Sequence, residues 1–192
     1  MDQPITILLC ALGGEGGGVL ADWLVKAARL AGLPAQATSV PGVAQRTGAT
    51  TYYLEIAPQA APEGRRPVLG LNPLPGRLDA LVLSELLETT RQIAQGMVSA
   101  DRTLVISHQG RALTTAEKMT LGDGRFNSSK LAELVAEHSR GHHLLDMAEL
   151  TRQAGTVVSA VMLGCIAASG LLPIERRVYA TVLAGEGAVA QA

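Results

Sequence analysis

Aromatic side chains are almost missing from this 192-residue chain, which has one Phe, one Trp and three Tyr. With 47% hydrophobic residues, its core has to be assembled from Ala, Val, Leu and Ile, a composition that favours helices packed on buried strands. Cysteine is scarce too. Cys10 lies in the first apolar stretch and Cys165 in an apolar stretch near the end, with no CxxC spacing, so both read as small buried hydrophobes. Two thiols cannot supply the four thiolates that an iron–sulfur cluster normally takes. Neither sign of charge is in excess: 16 basic against 17 acidic residues give a net charge of −1, which argues against a nucleic-acid partner. No apolar run approaches the ~20 residues that span a bilayer. The start, MDQPITILL, has no basic segment ahead of its short apolar stretch. The chain is therefore expected to work in the cytoplasm, with neither nucleic acid nor membrane as partner.

Several catalytic signatures are also lacking. No GK[ST] follows the glycine-rich stretch, which excludes a Walker A loop. No Ser/His/Asp triad, catalytic-cysteine setting or paired carboxylates emerge from the spacing. GDGRFN, Gly122 to Asn127, begins like a thiamine diphosphate motif. In that motif, however, the asparagines come about 25 residues later, after a strand and a helix, so a polar turn is the better reading. His142 and His143, on an expected helix, point different ways, and with only Asp146 near they make a poor metal site. His108, at a strand end beside Gln109 and Gly110, reads as lining a loop.

What is present alternates between strand and helix. ITILLCAL, Ile5 to Leu12, is an uninterrupted apolar run of the kind covered on both faces of a sheet. From Gly18 apolar residues recur at helical spacing until Gly32 and Pro34 end the pattern. PAQATSV, ATTYYLEIA (Ala49 to Ala57), LDALVLS (Leu78 to Ser84) and RTLVISH (Arg102 to His108) read as further strands. ELLETTRQIAQGMV reads as a helix, as does SSKLAELVAEHS, with Ser128 or Ser129 as its N-cap. HHLLDMAELTRQAG and TVVSAVMLGCIAASGLLP are expected to be helical, the second apolar nearly all round and hence buried against the sheet or a partner. The expectation is one α/β domain over residues 1–192: a mostly parallel, doubly wound, Rossmann-like sheet flanked by helices, with the part from about residue 150 helical.

Two loops concentrate the chemistry. Five of the six residues Gly13 to Gly18 are glycine, placed between the first strand and the first helix, with Glu15 among them. As a dinucleotide fingerprint the stretch fails. Counting from Gly13 puts Glu15 at the third place, counting from Gly14 puts Val19 at the sixth, and no acidic residue ends the second strand. An autonomous NAD(P)- or nucleotide-binding reductase would need a variant loop. The glycines serve either a tight crossover or the close approach of a ligand to helix N-terminal amides. Glu15, stabilised there by the helix dipole, would offer acceptors to hydroxyl or amine donors. The second loop, PGVAQRTG, carries Gln45, Arg46, Thr47 and Gly48. Arg46 is either a bidentate fork for phosphate or carboxylate or half of a surface ion pair. Because this loop precedes its strand, the sequence alone does not place it beside the first.

Four segments taken together, GGEGGGVLADWLVKAA, SVPGVAQRTGATTYYLEI, LDALVLSELLETTR and SSKLAELVAEHS…GTVVSAVMLGCIAASGLLPIE, resemble the gamma-type domain of the 2-oxoacid:ferredoxin oxidoreductases. Together they are most similar to the small (beta) subunit of the indolepyruvate type, over nearly the whole chain, with VPGVAQRTGATTYY the most specific part. Family enzymes oxidatively decarboxylate a 2-oxoacid to an acyl-CoA. The resemblance implies an accessory subunit, inactive alone and with no catalytic residue of its own. It also implies a large partner subunit that holds thiamine diphosphate, magnesium and 4Fe–4S clusters and passes electrons to ferredoxin. This domain is then expected to frame coenzyme A with Gly13, Gly14, Glu15 and Gly16 from one loop and Gln45, Arg46, Thr47 and Gly48 from the other. Two positions depart from the pattern. The first loop commonly reads GGQG, so Glu15 stands for a neutral glutamine, and pyruvate-type relatives often have lysine near the place of Arg46.

Overall fold

The structure is a computed structural model and describes residues 3–40, 49–61, 67–112, 117, 119 and 127–186. Six strands form one sheet: β1 (Ile5–Leu12), β2 (Ala35–Val40), β3 (Ala49–Ile56), β4 (Ala80–Leu83), β5 (Leu104–His108) and β6 (Gly141–Leu145), ordered β2-β3-β1-β4-β5-β6. The described helices are α1 (Gly17–Leu30), α2 (Leu86–Ala94), α3 (Ser128–His138), α4 (Met147–Ala154), α5 (Val158–Ser169) and α6 (Arg176–Ala184). No single helix among the described residues is long and apolar enough to cross a membrane.

The continuous apolar run of β1 has the cause expected for it, because both faces are covered. Ile7 and Leu9 enter one cluster with Trp23 and Leu24 of α1, Met147 of α4, Leu163 and Ile166 of α5, and Tyr179 of α6. Leu8 and Cys10 enter the other, with Leu86 of α2 and with Leu131 and Val135 of α3. Alternation of successive side chains across the sheet sorts them. The fold is therefore a single-domain α/β sandwich of the doubly wound kind.

The sheet is mixed. β1 pairs parallel with β4, β4 with β5 and β5 with β6, whereas β3 runs antiparallel to both β1 and β2. Five strands therefore point one way and β3 alone opposes them. A parallel strand would need a long crossover to bring it back, whereas only the eight residues 41–48 separate β2 from β3.

Two local expectations are corrected. The segment beginning HHLL is not helical. Gly141–Leu145 forms β6, and the helix starts only at Met147. β6 is an edge strand with exposed His142 and His143, so it lacks the apolar run that marks a strand covered on both faces. The two histidines still diverge, now because successive strand residues face opposite sides. The N-cap of α3 is Asn127, whose Oδ1 accepts the Ser129 N–H at 2.9 Å, not Ser128 or Ser129. The apolar helix α5 buries Met162, Leu163 and Ile166 against the core and leaves its other side half-exposed, where the expectation allows a partner.

Candidate functional site

The register places the loops. Leu12, the last residue of β1, pairs with Ala49, the first of β3. Cys10 pairs with Leu83 near the end of β4, Leu83 with Ser107 of β5, and His108 with Leu145 of β6. One edge of the sheet therefore carries Gly13 after β1, Ser84 after β4, Gln109 after β5 and Asp146 after β6. The residue entering β3 lies there as well. Between β1 and β4 the strand order reverses, since α1 leads to β2 on one side while β4, β5 and β6 are laid down on the other. Such a switch point is where open α/β sheets bind ligands.

The glycine loop sits over that crevice, and its glycines have separate tasks. A Cβ on Gly17 would stand 2.8 Å from the Ala11 Cβ and 3.1 Å from Tyr52 Cε2, and one on Gly18 would stand 3.1 Å from the Tyr52 hydroxyl. These two let the first turn of α1 lie against β1 and the Tyr52 ring. Gly14 differs. It has φ +89°, and nothing lies within 4 Å of a Cβ built on it. Packing does not account for it, and Gly13 and Gly14 are both exposed.

Glu15 turns back on its own strand. Its N–H donates to the Leu12 carbonyl at 3.1 Å, and its Oε2 accepts the Leu12 N–H at 3.1 Å. Ser84 Oγ accepts the same N–H at 3.1 Å, joining the loop to the end of β4. The other helices that start at this edge are capped by side chains. Glu85 accepts from Glu88 N–H at 2.6 Å for α2, and Asp146 from Glu149 N–H at 2.9 Å for α4. α1 begins at Gly16 in the left-handed conformation, with no side-chain cap and no acidic residue in its first turn. Among the described residues no side chain caps its leading amides, which are the kind of donors a polar ligand can use.

Further along the edge, Glu85 is 4% exposed and also accepts the Ala112 N–H at 3.1 Å, tying the segment after β5 to the start of α2. Burial pushes its carboxyl above the usual range, and the backbone donors pull it partly back. Arg111 and Glu117 form a buried ion pair beyond it. His108 Nδ1 lies 3.1 Å from the Met147 N–H, which donates to it, and 3.0 Å from the Leu145 carbonyl. A cavity of about 670 Å³ opens beside this histidine, lined by Gln109, Ser128, Ser129, Asp146 and Arg152 among others.

Of the residues singled out in the sequence, Gly13, Gly14, Glu15 and Gly16 stand together at the switch point. Gln45, Arg46, Thr47 and Gly48 lie outside the described residues, as do Gly122 to Phe126. Ser84, Tyr52 and Ser159, whose Oγ lies 2.9 Å from a Cβ on Gly16, surround the loop and were not foreseen. Ser84 could have been found, because the carboxyl ends of adjacent parallel strands share an edge. Tyr52 could not, since its place depends on the antiparallel register of β3. No group of three or more His, Cys, Asp or Glu among the described residues could hold a metal ion. Cys10 is buried, and its thiol is pushed up to about 12, first by desolvation.

A sheet of this order, with a glycine loop at its switch point, defines an open α/β fold of the ligand-binding kind. The chain belongs to the pyruvate ferredoxin/flavodoxin oxidoreductase family, whose signature matches residues 6–185. Solved structures share its fold. Subunit PORC of pyruvate oxidoreductase from Thermotoga maritima has 18% identity and a TM-score of 0.60, over 96% of this chain and 85% of that one. The gamma subunit of a keto/oxoacid ferredoxin oxidoreductase from Geobacter sulfurreducens has 14% identity and a TM-score of 0.61, over 95% and 86%. A 2-oxoglutarate:ferredoxin oxidoreductase from Magnetococcus marinus, described with 2-oxoglutarate, coenzyme A and succinyl-CoA bound, has 13% identity and a TM-score of 0.59. That match takes in 99% of this chain but only 29% of the longer one. No curated protein matches the chain by sequence. Family membership and the shared fold do not favour an autonomous NAD(P)-binding reductase.

Proposed function

We propose that the chain is the small, gamma-type subunit of an indolepyruvate-type ferredoxin oxidoreductase, inactive alone, which frames the coenzyme A side of a site completed by a larger subunit. The observation that supports this most is the pairing of Leu12 with Ala49. The reading needs the residue 13–16 and 41–48 segments to be attached at one place, and these two neighbours are their points of attachment. The run of four matched segments, VPGVAQRTGATTYY the most specific among them, is the ground for the arylpyruvate type. The Magnetococcus marinus relative, described with coenzyme A and succinyl-CoA bound, is the ground for the coenzyme.

The open side of Gly14 and the uncapped amides of α1 fit a polar ligand at close approach. Gly13 and Gly14 would line it with backbone, the first turn of α1 would donate N–H groups, and Arg46 would offer its planar fork to a phosphate. Coenzyme A, when bound, supplies the thiol that accepts the acyl group. With only two cysteines the chain falls short of the four thiolates of a 4Fe–4S centre, and no donor group among the described residues would hold a metal ion, so in this reading thiamine diphosphate, magnesium and the 4Fe–4S centres belong to the partner, which also passes electrons to ferredoxin. What this domain contributes is orientation of the acceptor and exclusion of water.

The test is to purify the chain alone and together with its cofactor-loaded larger subunit, and to follow indolepyruvate- and coenzyme A-dependent dye reduction. Activity should appear only in the pair. Turnover by the isolated chain, or none gained on pairing, would refute the reading. NAD(P) binding by the isolated chain in calorimetry would restore the reductase.

A further inference from the structure

We propose that Glu15 is a positioning residue: its carboxylate braces the glycine loop from behind, against the end of β1, and so keeps the leading amides of α1 free for the ligand. This rests on the coenzyme A reading above. The brace is a closed ring of two bonds in opposite directions, Glu15 N–H to the Leu12 carbonyl and Leu12 N–H to Glu15 Oε2, both 3.1 Å, with Gly13 and Gly14 at the tip. Leu12 is available as a donor because its N–H faces Ser84 of the β4 side, which shares it at 3.1 Å.

The alternative orientation is the ordinary one for an acid at a helix start. Glu85 and Asp146 each reach forward to the amide three residues on and cap their helices. Glu15 is the one carboxylate in this loop, and it reaches backward. Two things follow. The α1 amides keep their hydrogen-bonding capacity, and the negative charge is held on a strand end by a donor instead of lying over the helix N-terminus, where it would compete with an anionic ligand. A carboxylate in a loop that faces phosphate or hydroxyl acceptors is thereby tolerated. What the position requires is an acceptor atom and not a charge, so an amide in its place should serve.

The experiment uses the assembled complex carrying Glu15→Ala or Glu15→Gln. Three quantities are measured: the affinity for coenzyme A by calorimetry, the split between KM for coenzyme A and kcat, and the hydrogen exchange of the Leu12 amide. Glu15→Ala should weaken coenzyme A roughly tenfold, a loss that appears in KM with kcat little changed, and should speed Leu12 exchange. Glu15→Gln should stay within about twofold of the wild type on affinity and keep Leu12 protected. Weakened affinity in Glu15→Gln with Leu12 still protected would mean that the carboxylate itself touches the ligand, and unchanged affinity in Glu15→Ala would mean that the brace does nothing. Either result overturns the proposal. Should Glu15→Ala fail to assemble, Glu15→Gln decides on the same criterion. If the wild-type complex binds no coenzyme A, the coenzyme reading fails by itself, while Leu12 exchange still reports on the brace.

Discussion

Leu12 and Ala49 face each other across the final rung of the β1–β3 pair, so the glycine loop leaves the sheet beside the point where the chain re-enters it. Only an antiparallel β3 gives this arrangement. A third strand parallel to β1 would carry its leading residues to the far end of the sheet. If Arg46 of the re-entering segment pairs with a phosphate of coenzyme A, Arg46→Ala should raise the apparent KM for coenzyme A by roughly ten- to a hundredfold, as befits loss of a bidentate charge-assisted contact. Assembly with the larger subunit should be unaffected. Titration of coenzyme A against the co-purified complex, with size-exclusion chromatography as the control, checks both. Lost assembly with unchanged coenzyme affinity would make the loop a protein contact.

The two kinds of glycine in the first loop should respond differently to alanine. In Gly17→Ala the new Cβ meets the Ala11 Cβ at 2.8 Å and the Tyr52 ring at 3.1 Å, so α1 must lift from the sheet. Overpacking of this sort costs about 1–3 kcal/mol, and urea denaturation should register it. In Gly14→Ala no atom is met, but a left-handed φ of +89° is imposed on an L side chain, at a cost of about 1 kcal/mol. That variant should fold, and it should lose coenzyme affinity by more than its small change in stability suggests.

Glu85 is the tie between α2 and the segment after β5. Glu85→Ala would leave the Glu88 and Ala112 amides without their acceptor in a nearly closed environment, a loss of about 2–3 kcal/mol by denaturant unfolding. Glu85→Gln keeps only one oxygen for these two donors, which use different oxygens in the native chain, so it should fall between alanine and wild type. Because burial raises the Glu85 carboxyl, its ionisation works against the folded state. Its stabilising share is fully present below the unfolded value of 4.5 and is lost as pH rises through the higher folded value. Comparing wild type with Glu85→Gln at successive pH values should show the wild type gaining on the variant as the medium is acidified.

The strands with strong local character were legible in the sequence: β1 as an apolar run, β3 with its Thr and Tyr residues, and the glycine break between β1 and α1. What escaped depends on distant partners. β6 is a glycine, two histidines and two leucines, half-covered on a sheet edge, and only pairing with β5 makes it a strand. The direction of β3 is likewise set by its neighbours and not by its composition, and with it went the placement of Tyr52 beside Gly17 and Gly18. In the candidate site, the loop was readable because glycine is rare inside regular elements. The backward reach of Glu15 was not, since a carboxylate ahead of a helix ordinarily points forward.

The two cysteines differ in surroundings and should differ in reactivity. Cys10 is 1% exposed between the sheet and α2, with its thiol raised to about 12 from an ordinary 9.0, chiefly by desolvation and next by the Glu88 carboxylate. At pH 8 the thiolate, which is the reactive form, is then present at roughly one part in ten thousand. Cys165 on α5 is half-buried and raised by desolvation alone. A thiol-specific reagent at pH 8 should therefore modify Cys165 in the folded protein while Cys10 reacts only on unfolding. The same shift fixes a sign at high pH. The stability due to keeping Cys10 protonated is complete below about pH 9 and is lost as the medium rises toward 12, because the unfolded thiol gives up its proton first. Unfolding followed across that window should show a decline that Cys10→Val, which has no proton to lose, does not share, and equal declines in both proteins would place Cys10 in contact with water.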